Sequence, residues 1–324
     1  MRWFVILAGA VAAGALAFPR IRERGPGIPK PVHGISHNGM AYARWGSGSR
    51  SLLVIPGGPD NTPPSGMMLS RYLRIVRPLV EDGWTAWVVT RKQRLPQGCS
   101  VADMADDYGR LIADEFGGRV DAALGLSTGG MIGLQLAARH PGRLARIVIV
   151  AAAYVADGPR RDGDLAYARL LHEGRPGAAF ASMFRDVYPG VRIPGAADVA
   201  GAMLAPLVLR SMHPSFRDDV LIEAEAEAAF DAKAVLTDIR VPVLLVGGGE
   251  DQFFTRPVIE ETAQLIPDCR LIIYEGKDHL AAVSDERLPR DVLDFMSRST
   301  GPGPVERGSE VPSEPVATLP WTGS

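Results

Sequence analysis

The sequence is poor in cysteine and contains no metal-binding motif. Its 324 residues include two cysteines, Cys99 and Cys269, too few to form a disulfide scaffold. No CxxC or HExxH motif occurs, so we predict neither a metal site nor any other cofactor. The 35 basic and 37 acidic residues give a formal net charge of -2, and without an excess of positive charge we expect no nucleic-acid partner.

Composition and patterning predict a globular α/β protein. Hydrophobic residues make up 46% of the chain and charged residues 22%, which is typical of a folded protein. Six short runs, rich in β-branched residues and nearly all apolar throughout, indicate strands that are covered on both faces. Helical patterns lie between several of them and predict a mostly parallel, twisted sheet with helices on both faces. The predicted strands are 51–55, 84–90, 120–125, 147–150, 241–246 and 270–274, with an antiparallel strand at 37–45.

The N-terminus carries an apolar run at residues 3–18. As a helix it would span about 24 Å, which is less than the roughly 30 Å of a bilayer core and typical of a signal peptide. Arg2 precedes the run, and Ala15-Leu16-Ala17 forms an A-x-A cleavage pattern. We therefore predict that residues 1–38 are a signal or anchor segment with a linker, and that the protein is exported or associates with a membrane through residues 3–18.

The remaining chain divides into a domain and a tail. Residues 299–324 are rich in proline and glycine and are predicted to be disordered, because they offer little apolar surface to bury. The domain is predicted to span residues 39–298. Within it, residues 155–240 contain helical patterns but no apolar strand, which predicts a helical cap inserted between two strands of the sheet.

A G-x-S-x-G motif, Gly125-Leu126-Ser127-Thr128-Gly129, follows a predicted buried strand and precedes a predicted helix. In this setting the serine lies on a tight turn, and glycines on both sides leave room for the neighbouring strand and helix. The helix N-terminus behind Ser127 also favours the negative charge that develops in acyl transfer. We predict that Ser127 is a nucleophile.

A nucleophilic serine needs a base and an acid that orients the base. Asp251 and His279 each follow a later predicted strand, so they should reach the same edge of the sheet as Ser127. We predict that His279 is the base and Asp251 the orienting acid. Glu250 and Asp157 remain rival acids.

Two backbone N–H groups are candidates for an oxyanion hole. One belongs to Thr128, directly after the predicted nucleophile. The other is assigned to Gly58 in Pro56-Gly57-Gly58-Pro59, a loop that follows the predicted strand 51–55 and whose paired glycines allow a close backbone approach to a ligand.

Together these motifs resemble those of the α/β-hydrolase superfamily. The resemblance covers residues 39–298 and rests on the G-x-S-x-G turn and on the strand ends that carry Asp251 and His279. It implies an α/β-hydrolase fold and a serine hydrolase that forms an acyl-enzyme. It also implies a cap that roofs the active site and a small-molecule ester, lipid or peptide-like substrate. Pro56-Gly57 stands where many relatives have His-Gly.

Three alternative functions stay open at this point. The first is an aminopeptidase, since the loop after strand 51–55 resembles that of proline iminopeptidases. In that case Asp60 and the cap residues Glu223, Glu225 and Glu227 would bind a substrate amine. The alternative for these glutamates is a solvated acidic helix face.

The second alternative is a lysophospholipase or lipid acyltransferase, in which apolar cap side chains line an acyl pocket; the candidates are Met183, Phe184 and Met212. Apolar helix faces also serve ordinary core packing. The third is a non-enzymatic ligand-binding protein on the same fold, because a fold does not fix a function.

Overall fold

A twisted sheet with helices on both faces organises the molecule. The computed structural model describes residues 30–58, 61–187, 194–210 and 212–297. Eight strands lie in these ranges: β1 (Val32–Ile35), β2 (Ala41–Trp45), β3 (Arg50–Ile55), β4 (Trp84–Val89), β5 (Ala122–Leu126), β6 (Ile147–Val150), β7 (Val243–Gly248) and β8 (Cys269–Tyr274). Their spatial order is β1-β2-β4-β3-β5-β6-β7-β8. Within these ranges β1–β2 and β2–β4 pair in antiparallel fashion and the other five strand pairs are parallel, so the predicted mostly parallel sheet is confirmed.

The central strands β5, β6 and β7 are buried along their whole length, which explains their continuous apolar sequences. The first strand was not predicted. Three of the four residues of β1 are exposed, so it lacks an apolar run, and it lies at the edge of the sheet beside β2. The sheet therefore begins at Val32, before the predicted boundary at residue 39.

Ten helices lie in the described ranges: α1 (Gly66–Glu81), α2 (Val101–Glu115), α3 (Thr128–Arg139), α4 (Gly163–His172), α5 (Pro176–Val187), α6 (Ala196–Leu209), α7 (Phe216–Ala228), α8 (Arg256–Leu265), α9 (His279–Val283) and α10 (Leu288–Ser297). Helices α2, α3 and α8 bury apolar side chains against one face of the sheet. The opposite face is covered by α1, α9 and α10. These two layers of helices shield both faces of the sheet from water, as parallel strands require.

Helices α4 to α7 and a 3-10 helix at Lys233–Asp238 form a helical insertion between β6 and β7. These elements occupy the interval 155–240 that lacks apolar strands in the sequence. Ala168 and Leu171 of α4 pack on Phe216 and Val220 of α7 in a small core of their own. The insertion is thus held together by its own apolar contacts.

We correct the prediction of an exported or membrane-anchored protein. Across the described ranges no helix is long and apolar enough to cross a bilayer. The longest helix there, α1, has 16 residues, whereas a spanning helix needs about 20. The apolar run 3–18 and the predicted tail 299–324 both lie outside the described residues.

Candidate active site

Ser127 lies on the turn between β5 and α3 in a conformation that few non-glycine residues adopt, with φ 52° and ψ -120°. The flanking glycines make this turn sterically feasible. A Cβ atom at Gly125 would lie 2.3 Å from the Gly129 carbonyl oxygen, and one at Gly129 would lie 2.0 Å from the carbonyl oxygen of Ile55. The glycines of the motif are therefore required by close backbone packing, as predicted.

Ser127, His279 and Asp251 form a continuous hydrogen-bonded chain. His279 Nε2 lies 3.0 Å from Ser127 Oγ, and His279 Nδ1 lies 2.8 Å from Asp251 Oδ2. These residues follow the carboxyl ends of β5, β8 and β7, which lie side by side in the sheet together with β6. The Asp251 side chain is fully buried and that of His279 is 12% exposed, so water has little access to this pair.

Backbone groups fix the carboxylate of Asp251. Its Oδ1 accepts hydrogen bonds from the backbone N–H groups of Phe253 and Phe254, at 2.8 and 3.1 Å, which leaves Oδ2 directed at His279. The rings of the same two phenylalanines lie against the imidazole, with centroids 4.8 and 6.0 Å away. The sequence Asp-Gln-Phe-Phe thus orients both the acid and the imidazole.

Neither rival acid contacts His279. Glu250 is exposed. Asp157 accepts hydrogen bonds from the backbone N–H and the hydroxyl of Thr255, where it stabilises the start of α8. Asp251 is therefore the carboxylate that the structure pairs with the histidine.

The loop after β3 passes directly over the serine turn. A Cβ atom at Gly57 would lie 2.5 Å from the Leu126 carbonyl oxygen and 2.9 Å from Ser127 Cβ, so only glycine fits here. Gly58 has a φ of 76°, a left-handed conformation that favours glycine. Asp60, predicted to contact substrate, lies outside the described residues.

Arg91, which was not predicted from the sequence, holds this loop by hydrogen bonds to its backbone. It is 2% exposed, and it donates to the carbonyl oxygen of Pro56 at 2.7 Å and to that of Gly58. Its guanidinium also pairs with the carboxylate of Glu223 on α7, at 2.8 Å. An isolated arginine after a predicted strand carries no sequence signal for this role, because its partner lies 132 residues away.

The glutamates of α7 are not a solvated acidic face. Glu223 is fully buried, and only Glu225, on the other side of the helix, is exposed. Glu227 is partly buried and accepts a hydrogen bond of 2.7 Å from the hydroxyl of Thr128, next to the candidate nucleophile. Burial raises the pKa of Glu227 well above its usual range, and the negative charges of Asp164 and Glu223 raise it further, whereas the hydrogen bond from Thr128 and the charge of Arg91 oppose the shift.

The apolar cap residues that were predicted to bind substrate differ in their exposure to solvent and in their contacts. Met183 is 37% exposed. Met212 packs against the small core of the insertion and accepts a hydrogen bond from Thr62 Oγ1 at 3.2 Å. Phe184, on α5, is partly buried. A substrate-binding role for these three residues remains a prediction.

Among the residues that the structure describes, no group of three or more His, Cys, Asp or Glu side chains is placed to hold a metal ion. The expectation that the protein uses no cofactor stays a prediction.

The sequence matches the model of one known protein family. A model of the alpha/beta hydrolase family matches residues 32–292, most of the chain. The chain belongs to the alpha/beta hydrolase family. The matched region runs from the first strand of the sheet into α10, so it includes the helical insertion and all the candidate site residues.

Curated relatives and solved structures that are similar to this chain include proteins named as hydrolases. The chain is 29% identical to RutD of Pseudomonas savastanoi, provisionally named a carbamate hydrolase, over 64% of this chain and 78% of the relative. It is 30% identical to RutD of Azorhizobium caulinodans over 60% and 73%. A thermophilic esterase of Thermogutta terrifontis has a TM-score of 0.61 at 17% identity, with 83% of this chain and 98% of the esterase covered. The enol-lactonase of Burkholderia xenovorans has a TM-score of 0.59 at 18% identity, with 82% and 100% covered.

Proposed function

We propose that this member of the alpha/beta hydrolase family is a serine hydrolase that cleaves a carboxylic ester through an acyl-enzyme. The observation that carries the proposal is the hydrogen-bonded chain from Ser127 Oγ through His279 to the buried Asp251. A serine, an imidazole and a carboxylate in this order are the groups that nucleophilic acyl transfer requires.

Each group has a defined role in the proposed mechanism. Asp251 Oδ2 accepts a hydrogen bond from the Nδ1–H group of His279, which leaves Nε2 free to act as the base. Ser127 Oγ attacks the carbonyl carbon while its proton moves to His279 Nε2, and the oxyanion is held by the N–H groups of Gly58 and Thr128. The same proton is then given to the departing alkoxide, and the acyl-enzyme forms. Water then attacks the acyl carbon while His279 takes its proton, the bond to Ser127 Oγ breaks to release the carboxylic acid, and His279 returns the proton to Ser127 Oγ.

The substrate class is proposed from the site and from the relatives together. The esterase and the enol-lactonase that share this fold act, by their names, on carboxylic esters and lactones, and the RutD relatives are named for carbamates. All three groups offer a carbonyl carbon to a serine nucleophile. A small uncharged ester is the first candidate, and a carbamate is the second because of the RutD relatives.

The aminopeptidase alternative keeps its loop resemblance but has fewer candidate side chains for binding a substrate amine. It requires the α7 glutamates to be available to a substrate amine, but Glu223 is paired with Arg91 and Glu225 is exposed on the other side of the helix. Only Glu227 lies beside the serine turn. Comparing a prolyl-naphthylamide with naphthyl esters separates the two activities.

The test replaces the proposed nucleophile. We expect Ser127→Ala to lower kcat for p-nitrophenyl esters by at least about 10³-fold with the fold intact, because no other group forms the acyl bond. A fluorophosphonate probe should label the wild type at Ser127 and leave the variant unlabelled. The matched control is Ser65→Ala, an exposed serine whose side chain makes no capping hydrogen bond to α1.

Either of two results would contradict the proposal. Wild-type turnover in Ser127→Ala, or a wild-type protein that neither reacts with the probe nor hydrolyses any ester or carbamate of the panel, contradicts it. The second result would instead favour the ligand-binding alternative.

A further inference from the structure

One face of α7 carries three carboxylates at intervals of four residues: Asp219, Glu223 and Glu227. Because an α-helix has 3.6 residues per turn, side chains at this spacing lie on the same side of the helix and rise by about 6 Å each. We call these three residues the α7 acidic row. All three side chains reach from the insertion to loops at the carboxyl ends of the strands.

The first member fixes the position of the helix. Asp219 is 1% exposed and accepts hydrogen bonds from the backbone N–H groups of Arg94 and Leu95, at 2.9 and 2.7 Å, and from the amide of Asn61 at 2.9 Å. Arg94 is held there with a positive φ of 60°. These contacts tie α7 to the loops after β3 and β4, so the next two carboxylates have a fixed place above the site.

The second member acts on the Gly58 side of the proposed oxyanion hole. Glu223 pairs with Arg91, whose other donors bind the carbonyl oxygens of Pro56 and Gly58. These two carbonyls stand on either side of the peptide bond between Gly57 and Gly58, and the N–H of that peptide is the proposed donor. The buried ion pair therefore sets the direction of the donor.

The third member acts on the opposite side. Glu227 binds the hydroxyl of Thr128, the residue whose backbone N–H is the other proposed donor. Thr128 is 2% exposed and Glu227 is partly buried, so this hydrogen bond is shielded in part from bulk water.

We infer that Glu223 and Glu227 are positioning residues for the oxyanion hole: one turn of the cap helix α7 aligns both backbone donors, Gly58 through Arg91 and Thr128 through its hydroxyl. The inference rests on the proposed serine hydrolase function. It makes the insertion part of the catalytic machinery, because the donors are aligned only when α7 is seated on the sheet domain.

The protonation state of Glu227 gives this role a pH dependence. The groups that act on it electrostatically are Asp164 of α4, Glu223 of α7 and Arg91 after β4, and its pKa is raised mainly by burial. The carboxyl group therefore stays neutral to a higher pH than an ordinary glutamate. When it ionises, a negative charge forms beside the site of the developing oxyanion and opposes it.

The experiment measures the rate of fluorophosphonate labelling and the hydrolysis of p-nitrophenyl butyrate. We expect Glu227→Ala to lower the labelling rate and kcat by about 10- to 100-fold with KM within about twofold, because a misplaced donor weakens mainly the transition state. The matched control is Glu225→Ala, which removes the exposed glutamate of the same helix and should behave as the wild type. Thr128→Val removes the hydroxyl but keeps the backbone N–H.

A double variant tests whether Glu227 acts through Thr128, and a pH series tests whether its protonation state matters. If Glu227 acts through Thr128, the double variant Glu227→Ala/Thr128→Val loses no more activity than the stronger single variant. Glu227→Gln keeps a neutral hydrogen-bonding group, so it should match the wild type at pH values where Glu227 is protonated and exceed it at higher pH, where the wild type ionises.

Glu223→Gln provides a second route to the same conclusion. It keeps the shape of the side chain and should lower kcat with little change in KM, since Arg91 loses its charged partner.

Three results overturn the inference: additive losses in the double variant, superimposable pH profiles of Glu227→Gln and the wild type, or losses confined to KM. A wild type that the probe does not label contradicts the proposed function instead. The two failures are therefore distinguished by the wild-type protein alone.

Discussion

Gly129 shows how little space the serine turn leaves. A Cβ atom there would lie 2.0 Å from the Ile55 carbonyl oxygen and 2.7 Å from that of Pro56, both backbone atoms that cannot rotate away. Gly133, one turn later in α3, differs: a Cβ atom would meet only the Cδ1 atoms of Ile147 and Ile149, at 2.9 Å. These are the flexible ends of two side chains.

We predict that Gly129→Ala and Gly133→Ala have unequal effects although both lie in the same helix. Gly129→Ala should destabilise the fold by about 1 to 3 kcal/mol and lower ester hydrolysis at least about tenfold, because β3 and its loop must move. Gly133→Ala should stay within about 1 kcal/mol of the wild type, since a gain in helix propensity offsets the repacking. Urea denaturation and ester turnover measure both. Equal losses at the two positions would contradict the steric explanation.

At the scale of elements, the loop between α9 and α10 follows the candidate base and is fixed by charge. Asp285 is 7% exposed, and its two oxygens accept hydrogen bonds from the guanidinium of Arg287 at 2.8 and 2.9 Å. The Arg287 side chain, helped by the backbone N–H of Arg287 and the charge of Lys277, lowers the pKa of Asp285 to about 2. This carboxylate therefore favours the folded state whenever it is ionised.

Asp285→Asn should cost about 1 to 2 kcal/mol of unfolding free energy at neutral pH. A lowered folded-state pKa means that the contribution is complete above the unfolded pKa of about 3.9 and is lost as the pH falls through about 2. The difference between variant and wild type should therefore shrink in acid, as chemical denaturation at a series of pH values would show. The control is Asp294→Asn, an exposed residue of α10. A difference that stays constant down to about pH 2 would contradict this account.

Elements differ in how well their sequences predict them, for physical reasons. Strands β3 to β8 were predicted to within about two residues at each end, because a strand covered on both faces must be apolar throughout. Helix α1 was not predicted: Pro63 and Pro64 precede it and Pro78 lies within it, so the chain there reads as a loop. The placement of Ser127, Asp251 and His279 at one edge of the sheet could be predicted because each lies shortly after the end of a strand, and parallel strands bring these ends together.

At the scale of the whole molecule, the contacts of the α7 acidic row could not be predicted from the sequence. Glutamates on a helix are ordinarily solvated, and the partners of Glu223 and Glu227 lie 132 and 99 residues away along the chain. Removing either member of the Arg91–Glu223 pair would leave a buried charge, at a cost of about 3 to 5 kcal/mol. The insertion is therefore joined to the sheet domain by polar contacts at the site itself, in addition to its own small apolar core.

Glu227 makes the stability of the whole protein depend on pH in the opposite sense from Asp285. Because burial raises its pKa in the folded state, the folded protein keeps this proton at pH values where the unfolded chain has released it. The contribution of Glu227 is present below the ordinary glutamate pKa of about 4.3 and is lost as the pH rises through the raised value. Within that window the free energy of unfolding of the wild type should fall by about 1.4 kcal/mol per pH unit relative to a variant that cannot ionise at this position.

Glu227→Gln is that variant, and it should become progressively more stable than the wild type as the pH rises above about 4.3, up to the raised pKa, where the difference levels off. Glu225→Gln, on the exposed side of α7, should follow the wild-type curve at every pH. Urea denaturation between about pH 4 and pH 9 measures all three proteins under reversible conditions. A constant offset between Glu227→Gln and the wild type would mean that the pKa of Glu227 is the same in the folded and unfolded protein, and it would remove the electrostatic basis for the alkaline loss of activity. A growing difference would instead show that the folded protein keeps Glu227 protonated at pH values where the unfolded chain has released the proton, as the proposed pH dependence of activity requires.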